Sequence, residues 1–410
     1  MSMQATSGIS STRLARIGEE LQARYLDIGL LPGGHLRVAR RGEVVLDQCF
    51  GLMDVARGKP WASDAIVRIF SMTKPVVSVA LMMLWERGLF QLDQPVGEVL
   101  PTWRDQRVWV SGEGTSMVTE PAARPVTFRH LLTHTGGVTY GARLASVGGA
   151  RTADPVGLAY AAAQVDVLGE TEGLGAFAAK VGELPLRYQP GSRWMYSYST
   201  DIVGALIEEL SGRPLDRFLD EEIFAPLGMT DTGFSVRQDA AARLAACYMV
   251  TPQDPLSLAD DPLESARLTP PRFLSGGGGL VSTMADYHRF AEVLRRGGEL
   301  DGVRLLSPRT VRLMTRNHLP DGRDLTDLAL ISDPRLIPGG MGFGLGFGLT
   351  TDAVRAGLAA DGDFYWSGAA NTIWWVDPAA ELSVIFLTQV LPTTAYRLQD
   401  WLKSLVYAAI

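Results

Sequence analysis

Ser71 and Lys74 stand three residues apart at the head of an apolar run, Ser71-Met72-Thr73-Lys74-Pro75-Val76-Val77. If that run is a helix, hydroxyl and amine share one face of its first turn. A helix N-terminus carries free N–H groups and the positive end of the dipole, both of which favour a developing anion. A serine needs a base to become a nucleophile. A desolvated lysine serves as that base, or as the charge that keeps another base deprotonated. The spacing alone is a weak signal, since with four lysines a chance match arises about once in five. A serine N-cap beside an exposed lysine is the plain alternative. A third group is Tyr196, delivered by the turn Pro190-Gly191-Ser192 just ahead of another apolar helix. An ordinary tyrosine, with a pKa of about 10, is too weakly acidic to act as a base at neutral pH, but an adjacent ammonium such as Lys74 changes that. A core or capping tyrosine is the alternative.

Composition draws attention to the same lysine. Of 38 basic residues only four are lysine: Lys59, Lys74, Lys180 and Lys403. Arginine holds its proton permanently, whereas a buried lysine can release one. Lys59 reads as a turn residue, and Lys180 and Lys403 as surface residues.

Other chemistries are poorly supported. The 38 basic and 45 acidic side chains give a net charge of −7. They are scattered, with clusters no longer than pairs such as Arg40-Arg41 and Arg295-Arg296, so nucleic acid is not an expected partner. Neither GxSxG, a P-loop nor GxGxxG occurs. His130 and His134 have zinc-pair spacing, but Leu131 stands where H-E-x-x-H needs its acid, so capping or packing is expected. No metal and no cofactor is called for. Cys49 and Cys247 read as buried, inert thiols. The first 33 residues lack a signal-peptide apolar core. The uncharged run Pro75–Trp85 is too short to cross a bilayer, and Leu336–Thr351 is too glycine-rich. These features predict a cytoplasmic protein without a membrane partner, and leave its oligomeric state open.

The 410 residues suffice for two to three domain-sized units. Periodicity predicts an N-terminal amphipathic helix (Leu14, Ile17, Leu21, Tyr25) and a hairpin, His35–Arg40 with Glu43–Phe50, turning at Arg41-Gly42. A helix follows over Ser71–Arg87, with shorter ones at Thr127–Thr133, Asp201–Leu210 and Pro214–Phe224. Residues 250–272 read as a long loop, and Gly276–Gly279 as a glycine run entering a helix at Thr283–Arg296. Strands are predicted at Gly342–Thr350, Phe364–Ser367, Asn371–Val376 and Leu382–Leu387, with a closing helix Ala395–Ala408. Of the aromatics near the Phe364–Ser367 strand, Trp374, Trp375 and Tyr365 are expected mostly in the core, and Trp366 in a substrate wall. The expected fold is α/β of the α+β type: an antiparallel sheet built from both chain ends, flanked by the terminal helices, with an inserted, mainly helical domain. Residues 1–80 and 278–410 would form the first part and 81–277 the second, with the active site between them. Loops 105–125, 140–180 and 250–272 would set pocket depth.

The motifs taken together resemble the serine β-lactamase/penicillin-binding-protein-like superfamily, and within it the family VIII carboxylesterases, which look like class C β-lactamases. The matching text is Phe70-Ser71-Met72-Thr73-Lys74-Pro75, Arg129-His130-Leu131-Leu132-Thr133-His134-Thr135-Gly136-Gly137 and Tyr196-Ser197-Tyr198-Ser199-Thr200-Asp201. It continues through Ser211–Leu215, Ile223–Thr232, Gly276–Ser282 and Tyr365-Trp366-Ser367-Gly368-Ala369, in the family's order over residues 70–370. The resemblance implies that Ser71 is acylated, that Lys74 and Tyr196 handle the proton, and that the N–H groups of Ser71 and Ala369 form an oxyanion hole. Trp366-Ser367-Gly368 falls where β-lactamases carry Lys-Thr-Gly, and Tyr198 where they carry an asparagine. The first change replaces a cation that grips a β-lactam carboxylate by a flat apolar surface. The second removes an amide that holds the substrate's own amide. Both point toward neutral esters, with Trp366, Ser367, Gly368, Tyr198 and Tyr140 lining the substrate. The implied function is a serine carboxylesterase acting on short- to medium-chain small-molecule esters, with weak β-lactam turnover. An acyltransferase or amide hydrolase would use the same machinery, and a non-catalytic penicillin-binding-like scaffold is the alternative outside enzymes.

Overall fold

The structure, a computed structural model, describes residues 8–141, 154–166, 172–329, 339–358 and 360–410. Residues 142–153 and 167–171 of the expected 140–180 loop lie outside the described residues, as do 336–338 of the glycine-rich stretch.

Ser10 caps the first helix, α1 (Ser11–Leu21), whose apolar stripe Leu14, Ile17 and Leu21 is buried. The hairpin follows as β1 (Gly33–Arg40) and β2 (Glu43–Asp54), with β3 (Lys59–Pro60) pairing beyond it. Its two-residue turn needs two left-handed residues, and Arg41 (φ 55°) and Gly42 (φ 80°) supply them. A short 3-10 turn, Phe70–Met72, leads into α2 (Thr73–Glu86), buried on nearly every side. The middle of the chain contributes α3 (Ser199–Ser211), ended by left-handed Gly212, and α4 (Met284–Arg295), capped by Thr283. The end adds β4 (Met341–Phe343), β5 (Gly348–Thr350), β6 (Phe364–Ser367), β7 (Ile373–Asp377), β8 (Leu382–Leu387) and α5 (Leu398–Tyr407).

These strands form one eight-stranded antiparallel sheet in the order β4-β5-β6-β7-β8-β1-β2-β3. The two chain ends meet where β1 pairs with β8, from His35 opposite Leu387 to Arg40 opposite Leu382. Alternation then divides the side chains between two cores. Trp375, Val384 and Phe386 face α1 and α5, packing with Leu14, Ile17, Leu402 and Val406. Trp374, Ile385 and Leu387 face the opposite core, which contains α2, α3 and α4. Trp374, Trp375 and Tyr365 are thus core residues, while Trp366 is half-buried against both clusters.

Several expectations need correction. Gly342–Thr350 is not one strand: it folds back at Gly344–Phe347, where Gly346 has φ 96°, into β4 and β5. Residues 250–272 are not a plain loop, because Ser257–Asp260 is a strand pairing with Cys247–Met249. Cys247 is buried, but Cys49 is only half-buried. Lys403 is not a surface residue. It is wholly buried, with Nζ 2.5 Å from Asp363 Oδ2 and 3.9 Å from the Tyr365 ring centroid. Long-range chemistry buries this residue: α5 presents it to Asp363, just ahead of β6, and no local pattern shows that. Among the described residues no helix is long and apolar enough to cross a membrane.

Candidate active site

Ser71 lies in the 3-10 turn that enters α2, and Lys74 in the first turn of α2 itself. Three residues of separation bring Lys74 Nζ to 3.2 Å from Ser71 Oγ. Nζ also donates to the Gly277 carbonyl at 2.6 Å, and Lys74 is 2% exposed. The alternative of an exposed lysine beside a capping serine does not describe this pair. Ser71 itself is partly open to solvent. Its N–H precedes the first i→i−3 bond of the turn, Met72 N–H to Ile69 O, so it has no acceptor within the helix. Phe70, just before it, has φ 44°, a costly conformation for a bulky side chain. The turn is braced from outside, the Tyr287 hydroxyl donating to the Met72 carbonyl at 3.0 Å and Leu280 N–H to Thr73 Oγ1 at 3.1 Å.

Tyr196 reaches this place from the loop ahead of α3. Its ring stands beside the lysine, 4.6 Å from Nζ to the centroid. Its hydroxyl accepts a 3.1 Å hydrogen bond from Trp366 Nε1. Trp366 therefore presents more than an apolar surface, since its one polar atom is spent on the tyrosine oxygen. His134 lies edge-on to Tyr196, with centroids 4.9 Å apart, and its Nδ1 meets Ser197 Oγ at 3.1 Å. Burial, and the nearby Lys74 charge, hold His134 well below the usual histidine range. Tyr140, half-buried, stacks edge-on against both Tyr196 (5.3 Å) and Tyr198 (4.6 Å). Burial, with Tyr196 and Asp201 nearby, holds its hydroxyl well above the usual tyrosine range.

Trp366 and Ser367 end β6, and Gly368 begins the turn closed by Asn371 N–H to Gly368 O at 3.1 Å. A Cβ on Gly368 would collide with the Ile69 carbonyl and Thr372 Oγ1. Glycine there lets the strand end approach the chain two residues before Ser71. Ala369 follows, partly exposed, and no described residue accepts its N–H.

The structure thus brings together Ser71, Lys74, Tyr196, Trp366 and Tyr140, and sets Gly368 against the chain entering the Phe70–Met72 turn. Tyr198 stands apart from the solvent side. It is 1% exposed, packed between Tyr140 and Phe177, and backs Tyr140 instead of offering a surface of its own. Sequence reasoning missed Asp201, whose carboxylate accepts from Ser275 Oγ (2.6 Å) and Gly277 N–H (3.0 Å). It also missed Phe343, edge-on to Trp366. Asp201 and Gly277 were legible as motif letters, though not as partners.

His130 caps its own helix: Thr127 N–H donates to His130 Nδ1, and His130 N–H to the Thr127 hydroxyl. Among the described residues no three His, Cys, Asp or Glu side chains converge to hold a metal. Burial pushes His130 down to about 4. Between pH 6.5 and 4 the unfolded chain then binds a proton that the native site refuses, so stability falls as pH falls through that window. The slope is up to about 1.4 kcal/mol per pH unit from this residue. His130→Gln is expected to flatten the drop in urea midpoint between pH 6.5 and 4.5. An unchanged slope would remove His130 from the account.

Comparison with known proteins gives the chain's family. The Beta-lactamase family model matches residues 19–409. Protein Rv1367c of Mycobacterium tuberculosis is 36% identical over 370 residues, covering 89% of this chain and 88% of the relative. Esterase EstB of Burkholderia gladioli is 31% identical over 406 residues, covering 92% and 91%. The solved structure of EstCE1, a hydrolase with promiscuous acyltransferase activity, superposes with TM-score 0.77 at 25% identity, covering 97% of this chain and 99% of that one.

Proposed function

This chain belongs to the β-lactamase family, and on that premise we propose that it is a serine carboxylesterase, cleaving short- to medium-chain esters of small molecules through an acyl-enzyme on Ser71. The observation that carries the reading is the 3.2 Å bond between Lys74 Nζ and Ser71 Oγ, with Tyr196 beside the same amine. A buried amine on a half-exposed hydroxyl is the arrangement that activates a serine. The likeness to EstB, an esterase by name, supports the reaction class.

In the first step Oγ bonds to the ester carbonyl carbon while its proton passes to the Lys74/Tyr196 pair. The carbonyl electrons move onto oxygen, facing the N–H groups of Ser71 and Ala369. Losing one such donor costs on the order of 3 kcal/mol in the barrier. The carbonyl re-forms, the C–O bond breaks, and the alcohol leaves with a proton from the same pair. Water repeats the sequence in reverse to free the acid and Ser71. Trp366, Ser367, Gly368 and Tyr140 line the substrate, and Tyr198 supports Tyr140. The site sits between the part formed by residues 1–80 and 278–410 and the inserted part, 81–277. A wall with Trp366 in place of a cation favours neutral esters and leaves β-lactam turnover weak.

The second reading, transfer of the acyl group to an alcohol instead of water, draws on EstCE1, described as a hydrolase with promiscuous acyltransferase activity. One experiment tests both. p-Nitrophenyl esters of increasing chain length and nitrocefin are assayed with and without added alcohol, alongside labelling by a fluorophosphonate. Short and medium esters should turn over well and nitrocefin slowly, with one label at Ser71. Ester product in place of acid would favour transfer. No label on folded protein would reject the enzyme and favour a scaffold.

A further inference from the structure

Asp201 is 1% exposed and lies in the first turn of α3, yet among the described residues no cation forms an ion pair with it. Its carboxylate is satisfied by the 275–277 loop, accepting from Ser275 Oγ at 2.6 Å and Gly277 N–H at 3.0 Å. The other end of the same residue, the Gly277 carbonyl, accepts from Lys74 Nζ at 2.6 Å. One residue therefore joins a buried carboxylate to the amine that bonds Ser71. The approach is tight: a Cβ on Gly277 would lie 2.5 Å from Asp201 Oδ2, and one on Gly276 2.5 Å from the Thr200 carbonyl. Only glycine lets this loop lie so close to the start of α3.

We propose that Asp201 is a positioning residue of the site: it docks the Ser275–Gly277 loop so that the Gly277 carbonyl aims Lys74 at Ser71, and it supplies the negative charge that Lys74 faces across that peptide. This rests on the reading of Ser71 and Lys74 given above. Two other titratable groups face Lys74 without an opposing charge. His134 is held neutral by burial. Tyr140, 5.7 Å from Nζ to its ring centroid, is held protonated. Tyr196 offers the face of its ring. Asp201 itself is pushed upward by burial, while Ser275, Lys74 and the Gly277 N–H favour its charged form.

The test is Asp201→Asn, which keeps the shape and one acceptor oxygen but removes the charge. Its kcat for a p-nitrophenyl ester is expected to fall about 10²-fold, as for a misaimed catalytic group, with KM little changed. The pH profile of kcat/KM supplies the readout that a merely structural role would not move. Whichever limb Lys74 governs is expected to shift to lower pH by about one unit, because the amine has lost its facing carboxylate. A shift of the acid limb would identify Lys74 as the base, and a shift of the basic limb as a required ammonium. Both support the proposal, whereas a profile unmoved in position overturns it. Should Asp201→Asn fail to fold, Ser275→Ala keeps the charge but removes one of the two bonds docking the loop. It must then lower kcat about tenfold at constant KM, and an unchanged kcat also overturns the proposal. Wild-type enzyme labelled at Ser71 alongside an unmoved Asp201→Asn profile condemns only Asp201. Wild type that neither labels nor hydrolyses condemns the reading beneath it.

Discussion

Ser71→Ala is expected to abolish hydrolysis of p-nitrophenyl esters, with kcat falling by about 10⁴-fold or more. Oγ is the atom that Lys74 touches, at 3.2 Å. The Gly277 carbonyl would still hold the amine, so the positioning survives while the bond-forming atom is gone. Stability should change little, since Ser71 is partly exposed and the substitution leaves the Tyr287 and Thr73 braces of the turn intact. The assay is steady-state turnover on protein whose Tm matches wild type. Retained activity would sink the assignment of the nucleophile, and with it the acyl-enzyme.

The largest effect on the fold is expected at Lys403. Its amine meets Asp363 Oδ2 at 2.5 Å, with side-chain exposures of 0% and 1%. The Tyr407 hydroxyl donates to Asp377 Oδ2 at 3.0 Å and reaches Asp363 Oδ2 at 3.4 Å. Burial pushes the amine below the usual lysine range, and Asp363 draws it back up. Lys403→Met leaves a carboxylate buried without its cation, which costs about 3–5 kcal/mol. Replacing both partners, Lys403→Met with Asp363→Leu, removes the stranded charge and should recover much of that loss. Urea unfolding of the two single variants and the double variant closes the cycle. A single variant within about 0.5 kcal/mol of wild type, the range of ordinary surface changes, would show that the pair is not coupled in the folded protein. Because Asp363 leads into β6, whose end carries Trp366-Ser367-Gly368, the single variant should also lower esterase activity.

Much of the site was legible because its parts are local. The i, i+3 spacing of Ser71 and Lys74 is a property of any helix, and the chain's apolar run from Pro75 onward required one. Strand alternation likewise put Trp374 and Trp375 mostly in the core, and the structure divides them between its two faces. The scarcity of lysine pointed to Lys74, and equally to Lys403, which was read as surface. That error has a physical origin. A lone lysine in an amphipathic helix is read as solvated unless its partner is visible, and Asp363 belongs to a different element.

The sequence by itself singled out the groups proposed for the reaction and put Ser71 and Lys74 on one helix face, since helix geometry and motif order need no tertiary contact. Tertiary structure alone decided what those groups touch. Gly277 meets Lys74 across 203 residues of chain, Asp201 meets Gly277 across 76, and Trp366 meets Tyr196 across 170. Each of these contacts is made by packing α2, α3 and the end of β6 against one another. No periodicity encodes such distances, because they depend on how two cores and one sheet close together, and on glycines small enough to let backbone approach backbone.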